Sequence, residues 1–220
     1  VQIFAFLALA GLKIAPPDRK APTGRPLFAF FSTASFRLGL VVAALGYACM
    51  SFLMTATPLQ IVNVSLLGTE ENARVIQWHV IAMFAPSFFT GHLISRFGVK
   101  PILIVGIVLY LAAIACALGG SSFWLYFSAL ALIGLGWNFM YIGGSTLVAS
   151  VASPEERGRV QGLADFVTTT LVAIASLAAG ALHSQFGWEV MVLVAVGPII
   201  VIAVTLVWFA MQSQIVEARP

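Results

Sequence analysis

From Pro101 to Pro154 the chain carries no Asp, Glu, Lys or Arg, whereas one membrane-spanning helix needs only roughly 20 apolar residues. The interval therefore holds two spanning helices and a turn, and Gly119-Gly120-Ser121-Ser122 is that turn. The rest of the chain agrees: 60% of residues are hydrophobic, 9% are charged and mean hydropathy is +1.02. A soluble domain carries about 25% charged residues, which excludes that class. Six apolar spans are expected, at 38–66, 75–95, 101–119, 122–150, 160–183 and 189–212. Residues 1–14 read as the tail of a truncated transmembrane helix, 15–37 as a cytoplasmic central linker rich in Pro and bases, and 213–220 as a cytoplasmic tail. Within the linker, Leu27-Phe28-Ala29-Phe30-Phe31 reads either as a surface segment on the membrane or as disorder.

One short frame occurs twice. Gly91-His92-Leu93-Ile94-Ser95-Arg96-Phe97-Gly98 recurs as Gly180-Ala181-Leu182-His183-Ser184-Gln185-Phe186-Gly187, each copy joining two apolar runs. Arg96 and Lys100 flank the first turn, while the second turn has no base and is followed by Glu189. Two equivalent turns of different positive charge belong on opposite faces of a membrane, as in an inverted-topology repeat. The expected architecture is an all-α integral membrane bundle of six helices, built as a 3+3 inverted repeat.

The bases set the orientation. With residues 13–37 on the cytoplasmic side, ten of the eleven Lys and Arg lie there: Lys13, Arg19, Lys20, Arg25, Arg37, Arg96, Lys100, Arg157, Arg159 and Arg219. Arg74 alone falls outside, beside Glu70 and Glu71. The reverse orientation would break the positive-inside rule. The net charge of +3 comes from short turns between apolar runs, so it serves topology and lipid contact and not nucleic-acid binding. Cys49 and Cys116 sit inside apolar runs without metal spacing and read as small core residues.

The spans differ in character. Those at 101–119 and 189–212 are almost wholly Leu, Ile, Val, Ala and Gly, as lipid-facing scaffold helices would be. Those at 38–66 and 122–150 carry Tyr47, Gln60, Asn63, Trp137, Asn138 and Tyr141, polar or amphipathic groups that hydrocarbon disfavours unless they face protein or water. The first and fourth spans are therefore expected at the centre and the third and sixth outside.

On these residues a resemblance can be stated. Gly91-x-Leu93-x-Ser95-Arg96-Phe97-Gly98-x-Lys100 resembles the loop motif of the major facilitator superfamily (MFS) between helices eight and nine, and Pro154-Glu155-Glu156-Arg157-Gly158-Arg159-x-x-Gly162 resembles the loop between helices ten and eleven. The resemblance implies the C-terminal six-helix half of a bacterial transporter in the inner membrane, paired with an N-terminal six-helix half. Ser95 stands where the family motif usually has Asp, so no gating salt bridge is carried over to it. Arg96 and Lys100 keep the loop's basic character, and Gly91 and Gly98 are its matched glycines. The run from Ile76-Gln77-Trp78-His79 to Ala85-Pro86-Ser87-Phe88-Phe89-Thr90-Gly91 is similar to a bacterial subgroup with members linked to riboflavin or small-molecule export.

Candidate site residues follow from periodicity and polarity. Tyr47, Met50, Ser51 and Met54 share one helical face of the first span, as Gly134, Trp137, Asn138, Tyr141 and Ser145 do on the fourth. Tyr47, Met54, Trp137, Asn138 and Tyr141 are the candidates for contact with a flat, partly apolar solute, Asn138 fixing its orientation; ordinary helix packing is the other reading. Asp165 is the one carboxylate inside a span and reads either as a helix-start anchor or as a coupling group. His79 reads as a packed histidine or a proton-coupling one. Gln60 and Asn63, after Pro58, belong to an outer gate or satisfy a broken helix. His92 and His183 lie at span ends, facing water or headgroups. No cofactor or metal is expected, and no nucleophile has a base partner. A transporter of a small organic solute is thus weighed against a non-transporting membrane scaffold or regulatory subunit, and an intramembrane enzyme lacks its catalytic pair.

Overall fold

The structure, a computed structural model, describes residues 24–217. The helix tail expected at 1–14, linker residues 15–23 and the end of the tail with Arg219 lie outside the described residues. The described residues are 88% helical, and none of them forms a strand. A 3-10 turn at Leu27–Ser32 leads into α1 (Ala34–Leu59), which runs on through a π turn at Gln60–Val64. Then come α2 (Thr69–Phe84), α3 (Ser87–Phe97), α4 (Val99–Leu118), α5 (Phe123–Ser150), α6 (Arg157–Val194) and α7 (Val196–Glu217). α2 and α3 are two limbs of one span, bent at Ala85-Pro86. The apolar run Arg157–Gln212 is 56 residues long, and Gly187 breaks it with φ 77° and ψ −179°, so it makes two crossings and the bundle has six.

Gly187 also certifies the repeat. Its counterpart Gly98 has φ 83° and ψ 166°, the same backbone region, which is essentially restricted to glycine. Phe97 and Phe186, the residues before each glycine, are 55% and 60% exposed. The packing has the same symmetry. α1 packs most extensively on α6 and α5 and also on α7; α5 packs on α4, α1 and α2. Each repeat's first helix thus crosses the second and third helices of the other repeat. The first and fourth spans are central, as their polar residues required.

α5 holds that position because glycines let its neighbours approach. A Cβ at Gly134 would lie 2.8 Å from the His79 carbonyl oxygen of α2, and one at Gly136 would lie 2.5 Å from the Tyr110 ring of α4. At Gly144 it would lie 2.7 Å from the Gly39 carbonyl oxygen of α1, and the reverse distance is also 2.7 Å. The outer spans bury one stripe each: Leu103, Gly106, Tyr110, Ala113 and Ala117 on α4, and Ile199, Ile202 and Leu206 on α7. Tyr110 corrects the plain scaffold reading of the third span, for it is fully buried and its hydroxyl donates to the Gly46 carbonyl of α1 at 2.7 Å.

Several helices outrun the apolar blocks that announced them. α1 starts at Ala34 inside the expected linker, α2 includes Thr69, Glu70 and Glu71 from an expected turn, α6 starts at Arg157 and α7 continues to Glu217. Hydropathy marks the hydrocarbon layer, roughly 30 Å thick, whereas helices continue through the headgroup zone to roughly 40–45 Å. Glu70 and Glu71 are at home in a first turn because the helix N-terminus attracts negative charge.

Candidate functional site

The polar stripes of α1 and α5 converge on an aromatic cluster. Trp137 and Tyr141, one helical turn apart, stack at 5.2 Å with planes 7° apart. Tyr47 of α1 meets them edge-on at 5.0 and 5.5 Å, and Phe84 of α2 meets Trp137 edge-on at 5.7 Å. Trp137 is 5% exposed and forms the floor; Tyr47 and Tyr141 are half-buried, and Phe84 is 56% exposed. The Trp137 Nε1–H has no hydrogen-bond partner among the described residues. An unpaired buried donor costs about 1–3 kcal/mol, which an acceptor that reaches it when the surrounding rings part would recover. Met54 is half-buried against the same core, two turns beyond Tyr47. Of the other stripe members, Met50 is buried and Ser51 bonds Ser176 of α6 at 2.8 Å.

Asp165 belongs near this cluster, and the helix-start reading needs correction. α6 begins at Arg157, so Asp165 lies about 12 Å along the helix at 1.5 Å per residue, beyond the first turn where the dipole acts. Glu156 occupies the cap position instead. The exposed Asp165 carboxylate is within electrostatic reach of the Tyr141 hydroxyl.

Asn138 is corrected as a solute contact. It is fully buried, donates from Nδ2 to the Met83 carbonyl at 2.7 Å and to Ser87 Oγ at 2.6 Å, and accepts at Oδ1 from Thr90 Oγ1 at 2.5 Å. Its polar atoms are occupied by the bend in the second span. His79 is also fully buried; its Nδ1–H donates to the Leu130 carbonyl at 2.7 Å, tying α2 to α5 beside Gly134. That geometry supports the packed reading.

At the end of the bundle opposite Arg25, a cavity of about 490 Å³ is lined by Gln60, Tyr126, His183, Phe186, Trp188 and Glu189, among others. Gln60 bridges it: Oε1 accepts from His183 Nε2 at 3.0 Å, and Nε2 donates to the Tyr126 hydroxyl at 3.2 Å, which also meets Ser65 Oγ at 2.8 Å. His183 therefore does not simply face water at a span end; it ties the fifth span to the π turn of the first. Asn63 is exposed and does not join this network. No group of three His, Cys, Asp or Glu among the described residues could hold a metal.

At the other end lies a clasp that sequence reasoning missed. Arg25 donates from its backbone N–H and Nε to Glu156 Oε1 at 2.8 and 3.2 Å, and from a terminal N–H to Oε2 at 2.9 Å and to the Val151 carbonyl at 2.7 Å. The Ser153 N–H adds a bond at 3.1 Å. A loop carboxylate just before a helix was visible in sequence, but its partner is 131 residues away. Three more bases lie against rings: Arg37 over Trp208 at 4.9 Å, Lys100 over Phe209 at 5.2 Å and Arg96 over Phe97 at 5.2 Å. Gly91 has open space around it.

The Arg25 guanidinium, then the Arg25 and Ser153 backbone N–H groups, hold the Glu156 carboxyl down to about 2. A depressed carboxylate contributes stability above its unfolded pKa, roughly 4.3, and loses it as pH falls toward the folded value. Amide exchange at Arg25 and Ser153 is therefore expected to run several-fold faster in Glu156→Gln than in the wild type at pH 6. The ratio should shrink toward one as pH falls from about 4.3 to about 2. A ratio of one at pH 6 would show that the clasp holds nothing.

The family model described as Major Facilitator Superfamily matches residues 38–218. A riboflavin transporter of Brucella anthropi is 43% identical over 180 residues, covering 80% of this chain and 45% of that protein. An uncharacterised MFS-type transporter of Bacillus subtilis is 33% identical, over 67% of this chain and 33% of its own length. A cis,cis-muconate transport protein of Acinetobacter baylyi is 27% identical, over 70% and 39%. The chain spans less than half the length of these curated relatives, which are transporters and not enzymes.

Proposed function

Because the chain belongs to the major facilitator superfamily and is a multi-pass membrane protein, we propose that it supplies the solute-binding C-terminal half of a secondary transporter. An N-terminal six-helix half completes the transporter, and the two rock against each other in alternating access. The linker and the segments 96–100 and 151–159 face the cytoplasm of a bacterial inner membrane, because the bases concentrate there.

The observation that carries the reading is the Tyr47–Trp137–Tyr141 cluster with an indole N–H unpaired among the described residues. Stacked rings flanked by edge-on rings suit a flat aromatic solute, and the free N–H suits a carbonyl on its rim. We take riboflavin as the solute, since a relative 43% identical is named a riboflavin transporter. The cluster has a carboxylate within electrostatic reach, Asp165, which favours a neutral ring system over a dianion such as muconate. Asp165, exposed beside Tyr141, is the coupling carboxylate.

The test is transport by proteoliposomes holding the whole transporter that contains this half, with riboflavin and muconate offered separately, with and without a proton gradient. Riboflavin should move, faster with the gradient, and Asp165→Asn should remove the gradient's effect while exchange continues. Movement of muconate alone would overturn the solute, and gradient-driven transport by Asp165→Asn would overturn the coupling role.

A further inference from the structure

Pro86 bends the second span by removing an N–H that the Ala82 carbonyl would accept in an unbroken helix. In a membrane the groups freed at such a bend must find partners inside the protein. Beside the Ala82 carbonyl that loses its donor, the next carbonyl, Met83, is held by one side chain of the central helix. Asn138 takes the Met83 carbonyl on one side of Pro86, and the Ser87 and Thr90 hydroxyls on the other, at 2.5 to 2.7 Å.

Two more observations give this brace a consequence. The limb beyond the bend, α3, is otherwise loosely attached: Thr90 is its one buried residue, while Phe88 and Phe89 are 87% and 65% exposed. The residue before Asn138 is Trp137, whose ring meets Phe84, the last residue of α2. One turn of α5 thus grips the bend with an amide and the edge of the aromatic cluster with an indole.

We propose that Asn138 is a positioning residue, which ties the bend angle of the second span to the aromatic cluster so that α3 swings as one limb when the site opens and closes. The proposal rests on the transport reading. Asn138 acts through Met83, Ser87 and Thr90 and touches no solute. Asn suits the post because it offers two donors and an acceptor; Asp would meet the Met83 carbonyl with no donor, and Leu would strip that carbonyl of its Asn138 donor and leave Thr90 only the Pro86 carbonyl.

The experiment compares the wild type, Asn138→Leu, Thr90→Val, and Asn138→Leu combined with Pro86→Ala, in the whole transporter. Amide exchange across 87–97 without solute should be at least about tenfold faster in Asn138→Leu, the scale of losing charge-neutral bonds worth one decade in equilibrium. The maximal rate of riboflavin transport should fall about tenfold while its dissociation constant changes less than about threefold. Thr90→Val, which keeps shape and removes the hydroxyl shared by Asn138 and the Pro86 carbonyl, should show the same split in smaller degree even if Asn138→Leu fails to fold. Pro86→Ala lets the helix straighten, so that the N–H groups of 86 and 87 reach the Ala82 and Met83 carbonyls, and the double variant should regain folded yield and slow exchange but not the transport rate. Return of the rate along with the yield would make Asn138 merely structural. A tenfold weaker dissociation constant at an unchanged rate would return it to solute contact. If the wild type neither binds nor moves riboflavin, the functional reading fails, and the exchange data still decide the brace.

Discussion

Gly144→Val is expected to prevent the bundle from assembling. A Cβ at that position would sit 2.7 Å from the Gly39 carbonyl oxygen and 2.9 Å from the Ala43 backbone N and side chain. Overpacking a core that can shift its side chains costs about 1–3 kcal/mol. Here the obstacle is backbone on the other central helix, so α1 and α5 must separate along their crossing, and the loss should exceed about 3 kcal/mol. Gly162→Ala is the control, because nothing lies within 4 Å of its Cβ and its helix gains propensity worth up to about 1 kcal/mol. Melting temperature and monodispersity in detergent give the readout. Wild-type melting of Gly144→Val would mean that the two helices do not cross there.

Trp137→Phe should raise the apparent KM for riboflavin about tenfold with the maximal rate little changed, the pattern expected when a group that only binds the solute is removed. Phe keeps the stack on Tyr141 and the edges of Tyr47 and Phe84 while removing the N–H that has no partner among the described residues. A hydrogen bond to the solute contributes about 0.5–1.5 kcal/mol, and the upper value is close to tenfold. Trp137→Ala is a harsher change, since truncating a buried aromatic costs about 3–5 kcal/mol of stability. The Phe variant therefore separates binding from folding. An unchanged KM in well-folded Trp137→Phe would remove the indole from the site.

Much of the architecture was readable because membranes impose few alternatives. A long charge-free interval must cross twice, and polar residues on two spans had to face inward, which is where α1 and α5 lie. The repeated Gly-x-Leu frame was readable down to the backbone, since Gly98 and Gly187 share one glycine-specific conformation. Helical periodicity also brought Tyr47, Trp137 and Tyr141 together. It could not say that Asn138, on the same stripe, turns to the bend at Pro86, because which neighbour fills an amide's bonds is decided 48 to 55 residues away. Hydropathy likewise placed Asp165 too near a helix start, as it is blind to a first turn made of Arg157, Gly158 and Arg159 outside the hydrocarbon. The Arg25–Glu156 clasp and the Gln60–His183 bridge have the same cause: long-range polar pairs leave no period in sequence.

If the rings of α1 and α5 hold a flat aromatic solute, a flavin will report its own stacking, because Trp and Tyr quench the ring they stack on. Riboflavin is therefore titrated with the purified whole transporter while flavin fluorescence is followed. Saturable quenching is expected in the wild type, with binding about tenfold weaker in Trp137→Phe and wild-type affinity in Val204→Leu on the exposed face of α7. Equal affinity in the wild type and Trp137→Phe, or weakening by Val204→Leu as large as that by Trp137→Phe, would place the solute somewhere other than the aromatic cluster.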